Sequence, residues 1–344
     1  MSSPENKVTV RSPADLAAAV PYLIGFHPSD GSAVVIACND RRIVFAARGD
    51  LPTGAEHTHQ LDTFADQLIP VVQRHQPLTH VVIIGYGTPD PIDPALRALS
   101  DAFVAAGLPV LDLLRIAGDR LFSLICDNPA CCPPQGTPFD PIASTVAVRA
   151  TIAGVVVRPD RASVASQITP VSGAARDAIQ RASREASVRL EALHVVGGTA
   201  MYQAGERAVR DALRRHDAGA RLTDDEVAWL TTLLVDRDIR DLAVGLTEPH
   251  SRHVDFWADI TRRAHEPLVP APATLLAVTA WRCGDGVLAA MAAEHALGID
   301  GTYQFAETVL QALQAGVPPT VVEEVLNDVD SEPLALPDDP MEQE

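Results

Sequence analysis

A chain of 344 residues with 47% hydrophobic and 21% charged residues has an ordinary globular composition and length for about two domains. Its formal net charge of −18 argues against a duplex nucleic-acid partner, and its single lysine, Lys7, excludes a lysine-bearing phosphate loop or Schiff-base chemistry. No apolar run approaches the roughly 20 residues of a membrane span. Met1–Val10 lacks the apolar segment of a secretory signal, and five cysteines make no disulfide framework, so the expectation is a cytoplasmic protein with reduced thiols and no membrane partner.

The first element opens at Ser12-Pro13-Ala14-Asp15, a helix-capping serine followed by proline at the first helical position, and should run to Tyr22. Ala33–Cys38 and Ile43–Ala47 are apolar runs around the turn Asn39-Asp40, which predicts a hairpin. Leu61, Phe64, Ala65, Leu68, Ile69 and Val72 recur at helical spacing, and Pro77 ends that helix. His80–Gly85 is apolar on both faces and predicts a buried strand; Pro94–Ala106 is a helix closed by Gly107. Val110–Ile116 and Leu121–Cys126 form a second hairpin around Gly118-Asp119. The alternation predicts a mixed α/β sheet flanked by helices. Beyond the proline-rich stretch Pro129–Pro141, strand signals fade. Ala143–Ala153, Val171–Leu193, Met201–Arg215, Asp224–Leu234, His253–Ala264, Pro272–Arg282, Val287–Leu297, Tyr303–Ala315 and Pro319–Val325 all read as helices, with Ser163–Pro170 as a linker. The expected organisation is an α/β domain over 1–160, an all-α domain over 171–327 and an acidic disordered tail over 328–344. After Arg282 there is no cation, while thirteen carboxylates follow.

Three cysteines, Cys126, Cys131 and Cys132, fall within seven residues at an expected strand end, in a loop stiffened by Pro129, Pro133, Pro134 and Gly136. Three readings stay open. They could be small apolar fillers of a rigid turn, which is the favoured reading. Cys131 or Cys132 could be a nucleophile or redox thiol activated by a nearby base. Cys126, Cys131 and Cys132 could bind structural zinc, a reading disfavoured because the spacing is not C-x-x-C. No other cofactor is expected. His27, on the loop Leu23–Asp30, and Arg48 with Asp50 at a strand end could gather at one edge of the sheet with the cysteine loop and complete such a catalytic site. Gly85 and Tyr86 end the buried strand where α/β sheets bind ligands, although neither G-x-G-x-x-G nor G-x-S-x-G is present. Glu248, His250, His253 and Asp255 read better as a helix start capped by Ser251 than as a metal site. Trp281, with Gly284, Ala289, Ala293 and Ala296-Leu297, suggests one tetratricopeptide-like hairpin and a surface for a peptide.

Three of these segments carry a resemblance. Leu23-Ile24-Gly25-Phe26-His27-Pro28, Cys126–Gly136 and Ala280-Trp281-Arg282-Cys283-Gly284-Asp285-Gly286 make the chain resemble the actinobacterial domain of unknown function 4192 family nearly end to end. Gln135 stands where that family's proline–glycine turn has Glu. The resemblance implies an actinobacterial source and no particular activity. The leading expectation is therefore a non-catalytic interaction or regulatory protein with a protein or peptide partner. The alternative is a thiol-dependent or hydrolytic enzyme around His27, Asp50 and the cysteine loop. Oligomeric state is not readable from the sequence.

Overall fold

The computed structural model describes residues 10–52, 57–152 and 157–321. The expected acidic tail, the last residues of the helix expected to end at Val325, and the N-terminal residues 1–9 lie outside the described residues. The chain divides into two compact units. One comprises Met1–Thr169 with Asp285–Leu288 and Gln314–Gly316; the other comprises Pro170–Gly284, Ala289–Leu313 and Val317–Glu344.

The first unit is built on a mixed six-stranded sheet. Its strands are β1 (Ser32–Asn39), β2 (Arg42–Asp50), β3 (His80–Tyr86), β4 (Val110–Ala117), β5 (Arg120–Ser123) and β6 (Thr137–Pro138), in the spatial order β2-β1-β3-β4-β5-β6. Only β3 and β4 run parallel. They are joined through α3 (Pro89–Ala105), as a parallel pair needs a long crossover. On one sheet face Val35, Ile83 and Leu113 pack with Ile92, Leu96, Leu99 and Phe103 of α3 and with Leu61 and Ala65 of α2 (His57–Gln73). Alternation sends Val34, Ile36, Val82, Ile84 and Leu114 to the other face, and all of them are buried. There α1 (Pro13–Ile24) packs on β2 and on α4 (Thr145–Ile152). The Ser12 hydroxyl accepts from the Asp15 N–H at 3.1 Å, Asp15 accepts from the Arg11 N–H at 3.0 Å, and Gly25 closes the helix at φ +82°.

Several boundaries differ from the sequence reading. α3 begins five residues before Pro94, because Thr88 and Pro89 already start it, and Asp90 interrupts its helical backbone. β5 ends at Ser123, so Cys126 sits in a loop and not on a strand. The proline-rich stretch returns to the sheet as β6, on the outer edge where proline's missing donor is tolerated. The expected linker begins inside a short helix, α5 (Arg161–Ala165), capped by Asp160 through the Ser163 N–H at 2.7 Å.

The second unit is a helical bundle of α6 (Ala174–Val196), α7 (Gly198–Asp217), α8 (Asp224–Leu233), α9 (Arg237–Leu246), α10 (Ser251–Arg263), α11 (Pro270–Arg282), α12 (Gly286–Ile299) and α13 (Gln304–Gln314), α12 from Ala289 and α13 to Leu313. α6 packs on α8 and α7, α7 on α9, and α11 on α10 and α9. α9 went unrecognised in the sequence; Asp236 caps it by accepting from the N–H groups of Asp238 and Ile239. Among the described residues Trp257 and Phe256 meet edge-on at 4.7 Å, and the Trp257 N–H donates to Thr247 at 3.1 Å. Every residue of α11 from Pro270 to Trp281 is buried, as expected of a helix apolar around its circumference. Its Ala273 clusters with Ala296 and Ala306. This close packing of small residues does not establish a tetratricopeptide unit, since α11 is enclosed by α9 and α10 as well. His250, not Ser251, caps α10: its Nδ1 accepts from the Arg252 N–H at 3.1 Å. His253 Nδ1 accepts from the Glu248 N–H at 2.9 Å. Both rings thus serve the backbone.

The buried side of α3 carries much of the first unit's core. Phe103→Ala should lower the stability of that unit by about 3–5 kcal/mol, whereas Val104→Ala, at a side chain 57% exposed, should stay within about 0.5 kcal/mol of the parent. Urea unfolding of the two variants checks this, and equal effects would contradict the packing.

Candidate functional site

The loop between β5 and β6 is assembled by backbone turns. Asn128 gathers three N–H groups: its carbonyl accepts from Cys131 at 3.0 Å and Cys132 at 2.7 Å, and its side chain accepts from Ala130 at 3.0 Å. The Cys126 N–H donates to Ser123 Oγ at 3.3 Å, and the Ser123 hydroxyl donates to Asp112 at 3.4 Å. Asp112 is pushed above the usual carboxylate range by burial, partly offset by the Leu113 N–H and Ser123. The return leg turns at Gly136, φ +77°, where a β-carbon would lie 2.7 Å from the Phe122 ring. Arg115, itself buried, lies over that ring at 4.1 Å and is held by Asp93 at 2.7 Å. Arg120 donates to the Gly136 carbonyl at 3.2 Å.

This scaffold curls the chain so that the sulfurs of Cys126, Cys131 and Cys132 all lie within 4.8 Å of one another. Among the described residues they form the only such group of histidine, cysteine or carboxylate donors. Cys131 is exposed, and Cys126 and Cys132 are half-buried, in contrast to Cys38 in the core. The reading of these thiols as apolar fillers therefore meets a physical objection: they face each other at the surface and not an aliphatic core. The cluster also polarises itself. Cys126 is drawn below the ordinary thiol range by the Asn128 N–H and then by Cys132, while Cys132, whose S–H is held by the Cys126 sulfur, is pushed up to about 12.

His27, Arg48 and Asp50 lie elsewhere. Register pairs Ser32 with both Asp50 and Tyr86, Tyr86 with Ile116, and Ala117 with Arg120. That row marks one end of the sheet, where the exposed His27 precedes β1. β5 then runs the other way, Ser123 opposite Leu114 and the Leu124 N–H on the Leu113 carbonyl, so the cysteine loop leaves toward the opposite end. The single edge site gathering His27, Arg48, Asp50 and the loop does not form. Arg48 and Asp50 do meet, at 2.5 Å, and Arg48 also donates to Ser29 Oγ at 3.2 Å. Gly85 packs under α3, where a β-carbon would fall 2.6 Å from Leu96. Tyr86 is buried, its hydroxyl has no hydrogen-bond partner among the described residues, and burial raises its pKa. Trp281 is buried with its N–H on the Val317 carbonyl at 3.2 Å. Gln135 is exposed.

Two of the three resemblance segments touch in the first unit. Gly25 lies beside Asp285, whose Oδ1 would lie 3.7 Å from a β-carbon there, and Asp285 caps α12 through the Leu288 N–H at 2.9 Å. Burial raises the Asp285 pKa, a shift reduced by that N–H and by Arg158. The family described as Domain of unknown function (DUF4192) matches residues 13–320. The chain belongs to that family. No curated protein and no solved structure matches it. Among the described residues of this DUF4192 chain, no helix is long and apolar enough to cross a membrane.

The titration order gives a test. Cys126 has the lowered pKa and Cys132 the raised one, so iodoacetamide at mildly alkaline pH should label Cys126 well before Cys132, with Cys38 silent until unfolding. Peptide mapping at short times reads the order; Cys132 labelled first would refute the arrangement.

Proposed function

We propose that this DUF4192 protein is a non-catalytic, zinc-dependent interaction protein whose loop Cys126–Cys132 holds one ion through three thiolates. The convergence of the three sulfurs within 4.8 Å carries the reading. Zinc–sulfur bonds of about 2.3 Å in a tetrahedron set the sulfurs roughly 3.8 Å apart. A contraction of about 1 Å at most achieves this. The lowered pKa of Cys126 supplies the first thiolate, and binding a dication releases the remaining thiol protons.

Three protein ligands leave a fourth position on an exposed loop. Among the described residues no histidine or carboxylate joins the three sulfurs as a fourth donor. The position suits a histidine or cysteine donor from a protein or peptide partner. Cysteines all free of disulfides suit a reducing setting such as the cytoplasm.

Cobalt(II) serves as an optical stand-in for zinc. The full chain should take up one equivalent with thiolate-to-cobalt bands of three sulfurs, and imidazole should shift those bands by entering the fourth position. Serine at Cys126, Cys131 or Cys132 should weaken zinc by more than the roughly 10–100-fold that loss of an outer-shell partner causes, while Cys38→Ser and Cys283→Ser leave it intact. Because the ligands must lose protons, affinity should fall as pH is lowered. Absent uptake, or equal losses at Cys283, would sink the metal reading; an imidazole-insensitive spectrum would sink the open position.

A further inference from the structure

The helical unit contains a feature that the cysteine loop does not explain. α6 and α7 together carry eight arginines and six carboxylates, in a chain whose formal net charge is −18. Where α6, α7 and α8 meet there is a cleft of about 250 Å³ lined by Arg189, Arg207, Arg215 and Trp229, with Ala204, Ala208 and Ala212 among its apolar residues. Its two acids are already engaged. Glu226 binds Arg215 at 2.6 Å and also closes the Thr223 capping box; Asp211 binds Arg214, which lies outside the cleft, at 2.5 Å. Arg189 and Arg207 have no carboxylate partner among the described residues. The Arg189 guanidinium carbon lies 3.8 Å over the centre of the Trp229 ring. Stacking occupies its face and leaves its N–H edge available.

We propose that this cleft is a binding site for a small phosphate monoester. Two uncompensated guanidiniums match a group that carries about −1.5 to −2 at neutral pH, and arginine forks match phosphoryl oxygens in pairs. The phosphoryl group sits between Arg189 and Arg207. The organic part of the ligand lies over Ala204, Ala208 and Ala212. An open cleft of this size admits a small molecule, and the acidity of the chain as a whole disfavours a nucleic-acid backbone. The site is independent of zinc.

Titration calorimetry of the full chain with phenyl phosphate, inorganic phosphate and benzoate tests the assignment. Phenyl phosphate should bind one to one, inorganic phosphate should compete with it, and benzoate should bind at least about tenfold more weakly. Arg189→Gln and Arg207→Gln should each weaken phenyl phosphate by about tenfold or more. Arg210→Gln, on α7 but paired with Glu206 outside the cleft, should leave it unchanged. Thermal unfolding confirms that all three variants remain folded. Absence of saturable heat at millimolar phenyl phosphate, equal binding of benzoate, or equal losses in the Arg210 variant would each overturn the site.

Discussion

Strands β1 and β3 lie side by side with neither face open to water. Ala33–Ala37 and Val81–Ile84 are buried throughout, and backbone polar groups so placed must be paired within the sheet. The pairing fixes the register, and the register decides what can reach what. Helices must cover both faces, so polar functional groups are displaced to the strand ends and to the outer edge. At the β2 side the edge is an antiparallel strand with a charged end, Arg48 and Asp50. At the other side it is the short β5–β6 ribbon, which proline terminates. The cysteine loop occurs on that side because a short, twistable edge pair can carry a long excursion that a central strand cannot.

What orders the excursion is instructive, because apolar burial contributes little to it. Of the residues from Ile125 to Gln135 none is fully buried. Order comes from the turns around Asn128 at one end and from Gly136 seated on Phe122 at the other. The side of Phe122 is fixed in turn by Arg115, a buried charge that has its carboxylate in Asp93. Removing Asp93 would leave that charge uncompensated, which is more damaging than the pair is stabilising. The loop thus depends on the Arg115–Asp93 ion pair, which reaches it only through Phe122 and Gly136. A metal ion would add the cross-link that a burial-poor loop otherwise lacks.

Signals contained within one element were legible in the sequence. The Ser12–Asp15 cap, the doubly apolar β3 and the helical periodicity of the C-terminal half all depend on neighbours a few residues away. The six-stranded mixed sheet followed by helices agrees with that reading. The errors arose where partners are distant. The C-x₄-C-C spacing does not announce that the three sulfurs converge, because Asn128 produces that convergence by wrapping the chain. His27 and the cysteine loop looked like neighbours because each borders a strand, but β5 reverses direction and carries the loop away. α9 was legible and overlooked: Asp236 stands at the capping position before Ile239, Ala243 and Leu246 at helical spacing. The arginine cleft was not legible, since it draws on three helices and on which acids are already paired.

That cleft also shows how a chain-average charge misleads. Net charge governs encounter at long range, but at physiological ionic strength exposed charges are screened beyond about 8 Å. In the cleft lining Arg189 and Arg207 stand with Glu226 and Asp211, both already bound to other arginines. The local balance is positive although the sum over the chain is strongly negative. The two scales act on different ligands. A polyanion meets many acidic neighbours along its length, whereas a monoester small enough to enter the cleft meets mainly the arginines. Acidity of the whole and anion binding at one point are therefore compatible, and together they favour a small ligand over a long one.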